Sequence, residues 1–276
     1  GMVSDAFWND ITHFEGNANA FRLLAHRYKG RREGGFVMTY STLASIVKYP
    51  YSSAYAGHKG KFGFFCSEKE LFQRIADEMG IIKVSEDGEP LKYVRHPLVY
   101  LVEAADDICY EIMDIEDSHK LKILSFEETK EALLSFFDEE TRINIEKRII
   151  EEDITDKNEQ IVYMRACAIG TLEHECAQAF IHNEKAILEG TLKGSLIEHI
   201  SEKMSKAYRH CSDISWKKIY RSKPVLDVEL AGYKIMNTLM EQMIEAVTHP
   251  DRYYSKQLIC RVSSQYDIDS PDLETR

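Results

Sequence analysis

Apolar residues recur at three- and four-residue spacing over most of the 276-residue chain, and only six prolines and 14 glycines interrupt them. That is the period of an α-helix, so the fold it predicts is mainly α. Residues 15–28, EGNANAFRLLAHRY, predict a helix that buries Phe21, Leu24 and Ala25. Thr39 is a candidate cap for TYSTLASIVKYP, a helix that Pro50 stops. Residues 51–65, YSSAYAGHKGKFGFF, mix Gly, Ser and Lys with aromatics and predict an ordered loop. Ser67 and Glu70 have the spacing of a capping box for SEKELFQRIADEMGI. Within residues 80–95, short apolar pieces on either side of DGEP predict one small β-hairpin.

Pro97 opens the next helix, LVYLVEAADDICYEIMDIEDS, at a first-turn position where its missing N–H costs nothing. Residues 126–152, dense in Glu and Lys, predict a solvated helical segment. The stretch 159–189 is apolar on more than one side and belongs in the core. Two further helices are expected over 194–209 and 224–247, and the last twenty residues end without a closing element. No internal repeat or flexible linker divides the chain, so a single helical domain over residues 1–276 is expected.

The helix after Pro97 raises a chemical question, because it carries Glu103, Asp106, Asp107, Glu111 and Asp114. Leu98, Leu101, Val102, Ala105, Ile108, Cys109, Ile112 and Met113 cover much of its remaining circumference. Positions four apart lie ~40° from each other, so Asp106, Tyr110 and Asp114 form one stripe. Such a stripe must reach solvent or be given partners, since an unpaired buried charge is very costly. Two readings stay open. The acids form salt bridges with nearby cations such as Arg95, or they line a pocket where Asp holds a divalent cation and Tyr and Asp bind a sugar hydroxyl.

Composition narrows the partners. The chain is 44% hydrophobic and 29% charged, as ordinary globular proteins are, and its net charge of -11 disfavours non-specific binding of duplex nucleic acid. A compact site for one anionic ligand is still compatible. Six scattered cysteines without a CxxC pair suggest reduced thiols in a cytoplasmic protein, with neither a zinc site nor a disulfide framework. No apolar run reaches the roughly 20 residues of a membrane span, and no basic-then-apolar secretory leader opens the chain. His174 and His182 are too far apart for an HExxH zinc motif.

Five stretches together resemble, in order, segments of the bacterial dGTP triphosphohydrolases of the HD phosphohydrolase superfamily. They are FEGNANAFRLL (14–24), MTYSTLASIVKYPYS (38–52), KFGFFCSE (61–68), RHPLVYLVEAADDICYEIMDIED (95–117) and SKPVLDVELAGYKIM (222–236). The resemblance implies part of an HD-domain-like helical bundle that hydrolyses a deoxynucleoside triphosphate (dNTP) to deoxynucleoside and tripolyphosphate. It also implies a divalent metal, Mg²⁺ or Mn²⁺, and a homo-oligomer. By the same resemblance Asp106 is a metal ligand, and Tyr110 and Asp114 contact the deoxyribose 3′-hydroxyl. Asn17, Lys48, Tyr49 and Lys61 match the family's phosphate-side residues.

The family's first His and its His-Asp dipeptide lie upstream of FEGN. Here only thirteen residues precede that motif, and no His-Asp dipeptide occurs anywhere. The expectation is therefore the central and C-terminal part of such an enzyme, truncated or degenerate, and a poor catalyst or none alone. The alternative is a non-catalytic nucleotide-binding or oligomer-forming remnant.

Overall fold

A computed structural model of the chain describes residues 4–30, 32–268 and 270. Its twelve α-helices are α1 (Asp5–Thr12), α2 (Gly16–Ala25), α3 (Tyr40–Ser45), α4 (Lys69–Met79), α5 (Pro97–Lys120), α6 (Phe126–Leu134), α7 (Glu139–Glu151), α8 (Lys157–His182), α9 (Glu184–Leu188), α10 (Glu202–Ile214), α11 (Lys223–Thr248) and α12 (Tyr253–Ile259). The fold is mainly α, and no strand occurs among the described residues. The chain divides into two compact units, one of Gly1–Val99 with Gly232–Arg276 and one of Tyr100–Ala231.

In the first unit, side chains cap the opening helices. Ser4 accepts from the Phe7 N–H at the start of α1, Glu15 caps α2, and Thr39 caps α3 as its spacing predicts. The core is aromatic: the Phe72 ring stacks on Phe64 at 4.6 Å and meets Phe21 and Tyr93 edge-on at 5.8 and 5.6 Å. Phe21 and Ala25 are buried as expected, while Leu24 is half-buried at the edge of this core.

Several elements are shorter than their periodicity suggests. Helix α3 ends at Ser45 rather than at Pro50, because the Val47 N–H turns to the Ala44 carbonyl and the Lys48 N–H to that of Ile46. Ser67 is not a cap: α4 starts at Lys69, and the Ser67 hydroxyl accepts from Arg22 and donates to Glu68. The expected β-hairpin is reduced to an isolated antiparallel bridge between Lys83 and Tyr93, with another between Tyr51 and Lys92. The loop of residues 51–65 contains two short 3₁₀ turns, Ser53–Tyr55 and Gly57–Lys59. After α12 no further regular element occurs among the described residues, and the segment is packed: the Tyr266 ring meets Tyr28 at 5.5 Å and the Lys29 N–H donates to the Gln265 carbonyl. Residues 271–276 lie outside the described residues.

The second unit closes around Leu133, Phe136, Ile161, Met164 and Leu172, all fully buried. Helix α8 contributes one stripe to this core, Ile161, Met164, Ala168, Leu172, Cys176 and Ala179, and its Ile181 faces out. The helix thus lies in the core as its apolar pattern predicts, with Tyr163, Cys167, Ile169 and Phe180 partly buried against it. Residues 126–152 form two helices rather than one solvated segment. Ser125 and Glu128 make a reciprocal capping box for α6, which buries Ala132, Leu133 and Leu134, and Asp138 restarts the chain as the cap of α7. Helix α10 runs on into a π-turn, Ser215–Ile219.

All six cysteines are free. Among the described residues no helix is long and apolar enough to cross a membrane. Helix α11 is unusual for its length, since Ala246 is its one buried residue while Val228, Leu230, Tyr233, Ile235, Met236 and Ile244 are exposed.

Candidate functional site

Four of the candidate residues, Asn17, Lys48, Tyr49 and Lys61, lie in the first unit; Asn17 and Lys61 meet on a residue with no assigned role, Glu15, and Lys48 and Tyr49 lie near Lys61. Glu15 is the N-cap of α2 and only 4% exposed. Its Oε2 accepts from the backbone N–H groups of Asn17 and Ala18 at 2.5 and 3.2 Å. Its Oε1 accepts from Asn17 Nδ2 at 2.9 Å and from Lys61 Nζ at 2.8 Å. Burial pushes the carboxyl up, but the bonds from Lys61, Asn17 and the backbone outweigh it and hold Glu15 below the usual carboxylate range. The Lys61 ammonium is raised, first by its bond to Glu15, despite burial and the nearby Lys48 charge.

The backbone explains why Lys61 and Tyr49 meet. Phe62, Phe64 and Phe65 are buried and anchor KFGFF, while Lys61 is half-exposed at its start. The Gly63 N–H donates to the Tyr51 carbonyl, and a Cβ on Gly63 would lie 2.2 Å from the Tyr49 carbonyl oxygen. Only glycine permits that approach. Lys61 Nζ then sits 5.9 Å from the centre of the Tyr49 ring, within cation–π range. Arg95 donates from Nε to the Lys48 carbonyl at 3.1 Å. The Tyr51 hydroxyl is raised by burial and by Tyr49, and it senses both Arg95 and Glu15. Glu15, Tyr51 and Arg95 therefore join a cationic, aromatic corner that the sequence motifs placed only in part.

The other three candidates lie on α5 in the second unit. Helix α5 buries Tyr100, Ala104, Ile108, Ile112 and Ile115 along one stripe. Leu98, Leu101, Val102 and Met113 are exposed, which corrects the expectation that apolar residues leave little of the helix for water. Residue type alone does not say which apolar side chains another element covers. Asp106 is exposed and Tyr110 is 68% exposed. Asp114 is half-buried and accepts from the Tyr220 hydroxyl at 2.5 Å, and burial and this bond raise the Tyr220 phenol well above its ordinary value.

The remaining acids of the helix have structural partners. Glu116, 2% exposed, accepts from Arg165 at 2.6 Å and from Lys120 at 2.5 Å. Glu111 accepts from Ser212 and Ser215 at 2.6 and 2.9 Å, and burial carries its carboxyl above the usual range against those two bonds. Glu111 is thus held by hydroxyls and Glu116 by cations, while of the stripe itself Asp106 and Tyr110 face solvent and Asp114 is held by the Tyr220 hydroxyl.

A divalent metal needs several ligands. Among the described residues no three His, Cys, Asp or Glu side chains come together to hold one, so the residues present do not make a metal centre around Asp106. Two clefts of about 540 Å³ each open in the second unit, one lined by residues such as Asp153, Asp156 and Tyr163, the other by Glu127, His210 and Lys217. Neither is lined by a candidate residue.

No family model matches the chain. It is similar to the deoxyguanosinetriphosphate triphosphohydrolase-like protein of Pseudomonas aeruginosa (strain LESB58), with 33% identity over 242 residues that cover 86% of this chain and 53% of that protein. The like-named protein of Synechocystis is 32% identical over 247 residues, covering 86% and 53%. The deoxyguanosinetriphosphate triphosphohydrolase of Yersinia enterocolitica is 25% identical over 279 residues, covering 95% and 52%. The chain spans about half the length of the curated relatives it matches.

Proposed function

The chain belongs to the deoxyguanosinetriphosphate triphosphohydrolase family, and from that membership we propose that it binds the triphosphate of a deoxynucleoside triphosphate through Asn17, Lys48, Tyr49 and Lys61. One observation carries the reading. Lys61 and Asn17 share a single oxygen of a buried carboxylate, with Lys48 and Tyr49 beside them. An ammonium has three donors and Lys61 spends one on Glu15, which leaves charge and hydrogen-bonding capacity for phosphate oxygens.

The reaction served is hydrolysis of a dNTP to deoxynucleoside and tripolyphosphate. Tyr110 and Asp114 are proposed to contact the deoxyribose 3′-hydroxyl, and Asp106 to be the one ligand that this chain offers to Mg²⁺ or Mn²⁺. A lone Asp does not hold a divalent ion well, so the part assigned to this chain is binding, and alone it is a poor catalyst or none. A non-catalytic nucleotide-binding role is the second reading, favoured because no three metal ligands gather among the described residues. A cytoplasmic location and assembly with further copies are part of the proposal, the latter supported by the exposed apolar side chains of α11.

Calorimetric titration with dGTP and with inorganic tripolyphosphate tests the reading. Both should bind, and Lys61→Ala should weaken both at least tenfold, as loss of one charge-assisted phosphate contact does. An unaltered affinity in that variant, or no binding by the wild-type chain, would sink it. Tripolyphosphate release with Mn²⁺ that disappears in Asp106→Ala would show instead that the chain turns over unaided.

A further inference from the structure

A carboxylate next to the lysine meant to bind phosphate is unexpected on charge alone, since it repels the ligand. Its geometry gives it another purpose. Among the described residues the side-chain hydrogen bonds of Glu15 run to two groups, the first turn of α2 through Oε2 and the pair Lys61 and Asn17 through Oε1. The carboxylate is almost wholly buried, so it is fixed by the helix it caps, whereas the Lys61 side chain is 44% exposed. A ligand can reach the ammonium from its solvent side without displacing Glu15.

We propose that Glu15 is a positioning residue of the polyphosphate corner, holding Lys61 and Asn17 with one oxygen so that their remaining N–H donors meet a phosphate already arranged. The proposal rests on the polyphosphate reading above. Glu15 touches no ligand in this role and acts through the two donors it orients. Lysine is a long, flexible side chain, and donors whose rotamers are fixed beforehand bind without the entropy loss of ordering them. The bond to Glu15 also raises the Lys61 ammonium against burial and the nearby Lys48 charge.

Capping and positioning make different demands on side-chain length, and that separates them. Aspartate is as good an N-cap as any residue, but it is one methylene shorter and does not reach Lys61. The Glu15→Asp variant should therefore keep its helix and its thermal midpoint while releasing Lys61. Two readouts follow. Acetic anhydride labelling of Lys61, read by mass spectrometry against the exposed Lys59 and Lys69 in the same protein, should rise about threefold or more. Affinity for inorganic tripolyphosphate, measured by calorimetry, should fall about five- to tenfold.

Unchanged or tighter binding by folded Glu15→Asp, with wild-type protein still binding and Lys61→Ala not, overturns the role of Glu15 and leaves the polyphosphate reading intact. Unchanged Lys61 labelling overturns the hold of Glu15 on the lysine. No binding by the wild-type chain overturns the polyphosphate reading and this inference with it. If Glu15→Asp loses its fold, Glu15→Gln replaces it: its single side-chain oxygen cannot cap α2 and hold Lys61 at once, so Lys61 labelling should rise and tripolyphosphate affinity fall, and no change in either overturns the proposal.

Discussion

Glu128 stands in solvent, yet its carboxyl is lowered to about 2. The Lys218 ammonium, at 2.6 Å, is the chief cause, and the Ser125 N–H and hydroxyl on the other oxygen add to it. A carboxyl lower in the folded than in the unfolded state contributes stability above the unfolded value, and that contribution is lost as pH falls through about 2. Carbon-detected NMR titration should place the Glu128 midpoint near 2, and Lys218→Ala should return it towards the ordinary carboxylate range. A midpoint near 4.3 in the wild-type protein would mean that the Lys218 contact is not held in solution. At this scale the candidate site was partly legible. Asn17, Lys48, Tyr49 and Lys61 stand in recognisable motifs, but Glu15 reads only as the first residue of a helix, and its partner Lys61 is 46 positions away in the chain. Nothing in a local pattern couples the two.

The elements themselves are set by short-range chemistry that periodicity only approximates. Gly63 shows how one of them builds the site. Its φ is unremarkable, but the Tyr49 carbonyl and the Val47 side chain would lie 2.2 and 2.5 Å from an added Cβ. Gly63→Ala must push the KFGFF segment away from the turn that carries Lys48 and Tyr49, at a cost of about 1–3 kcal/mol. Urea unfolding should report that loss, and tripolyphosphate binding should weaken with it. Full affinity in Gly63→Ala would show that the two segments need not touch. The helices with strong caps, α3 at its start and α5 at Pro97, were legible in the sequence. The split between α6 and α7 was not, because Phe136 and Phe137 continue the apolar period across the break, and only Asp138 as a new cap marks it. The hairpin around DGEP failed for a related reason: alternation suggests pairing, but whether two bridges extend into strands depends on what packs over them.

For the whole molecule, composition and periodicity established the mainly α class, but not the division into two units, because α5 and α11 each run through a boundary without a break in pattern. Periodicity placed a helix over residues 224–247 but not the neighbours of its apolar side chains, of which Val228, Leu230, Tyr233, Ile235, Met236 and Ile244 are exposed. Their exposure has a consequence for the clock on which different parts of the protein open. At 26 residues α11 is about 39 Å long, and with Ala246 alone buried its amides rely on the helix's own hydrogen bonds. Helix α8, equally long, is fastened along a stripe of six buried side chains. Deuterium should therefore enter α11 through local openings that cost little free energy, whereas α8 should exchange only through openings approaching the unfolding of its unit. Mass-resolved exchange of the two helices in one sample measures the difference directly: equal protection would mean that α11 is covered in solution, and addition of whatever covers it would slow its exchange and leave that of α8 where it was.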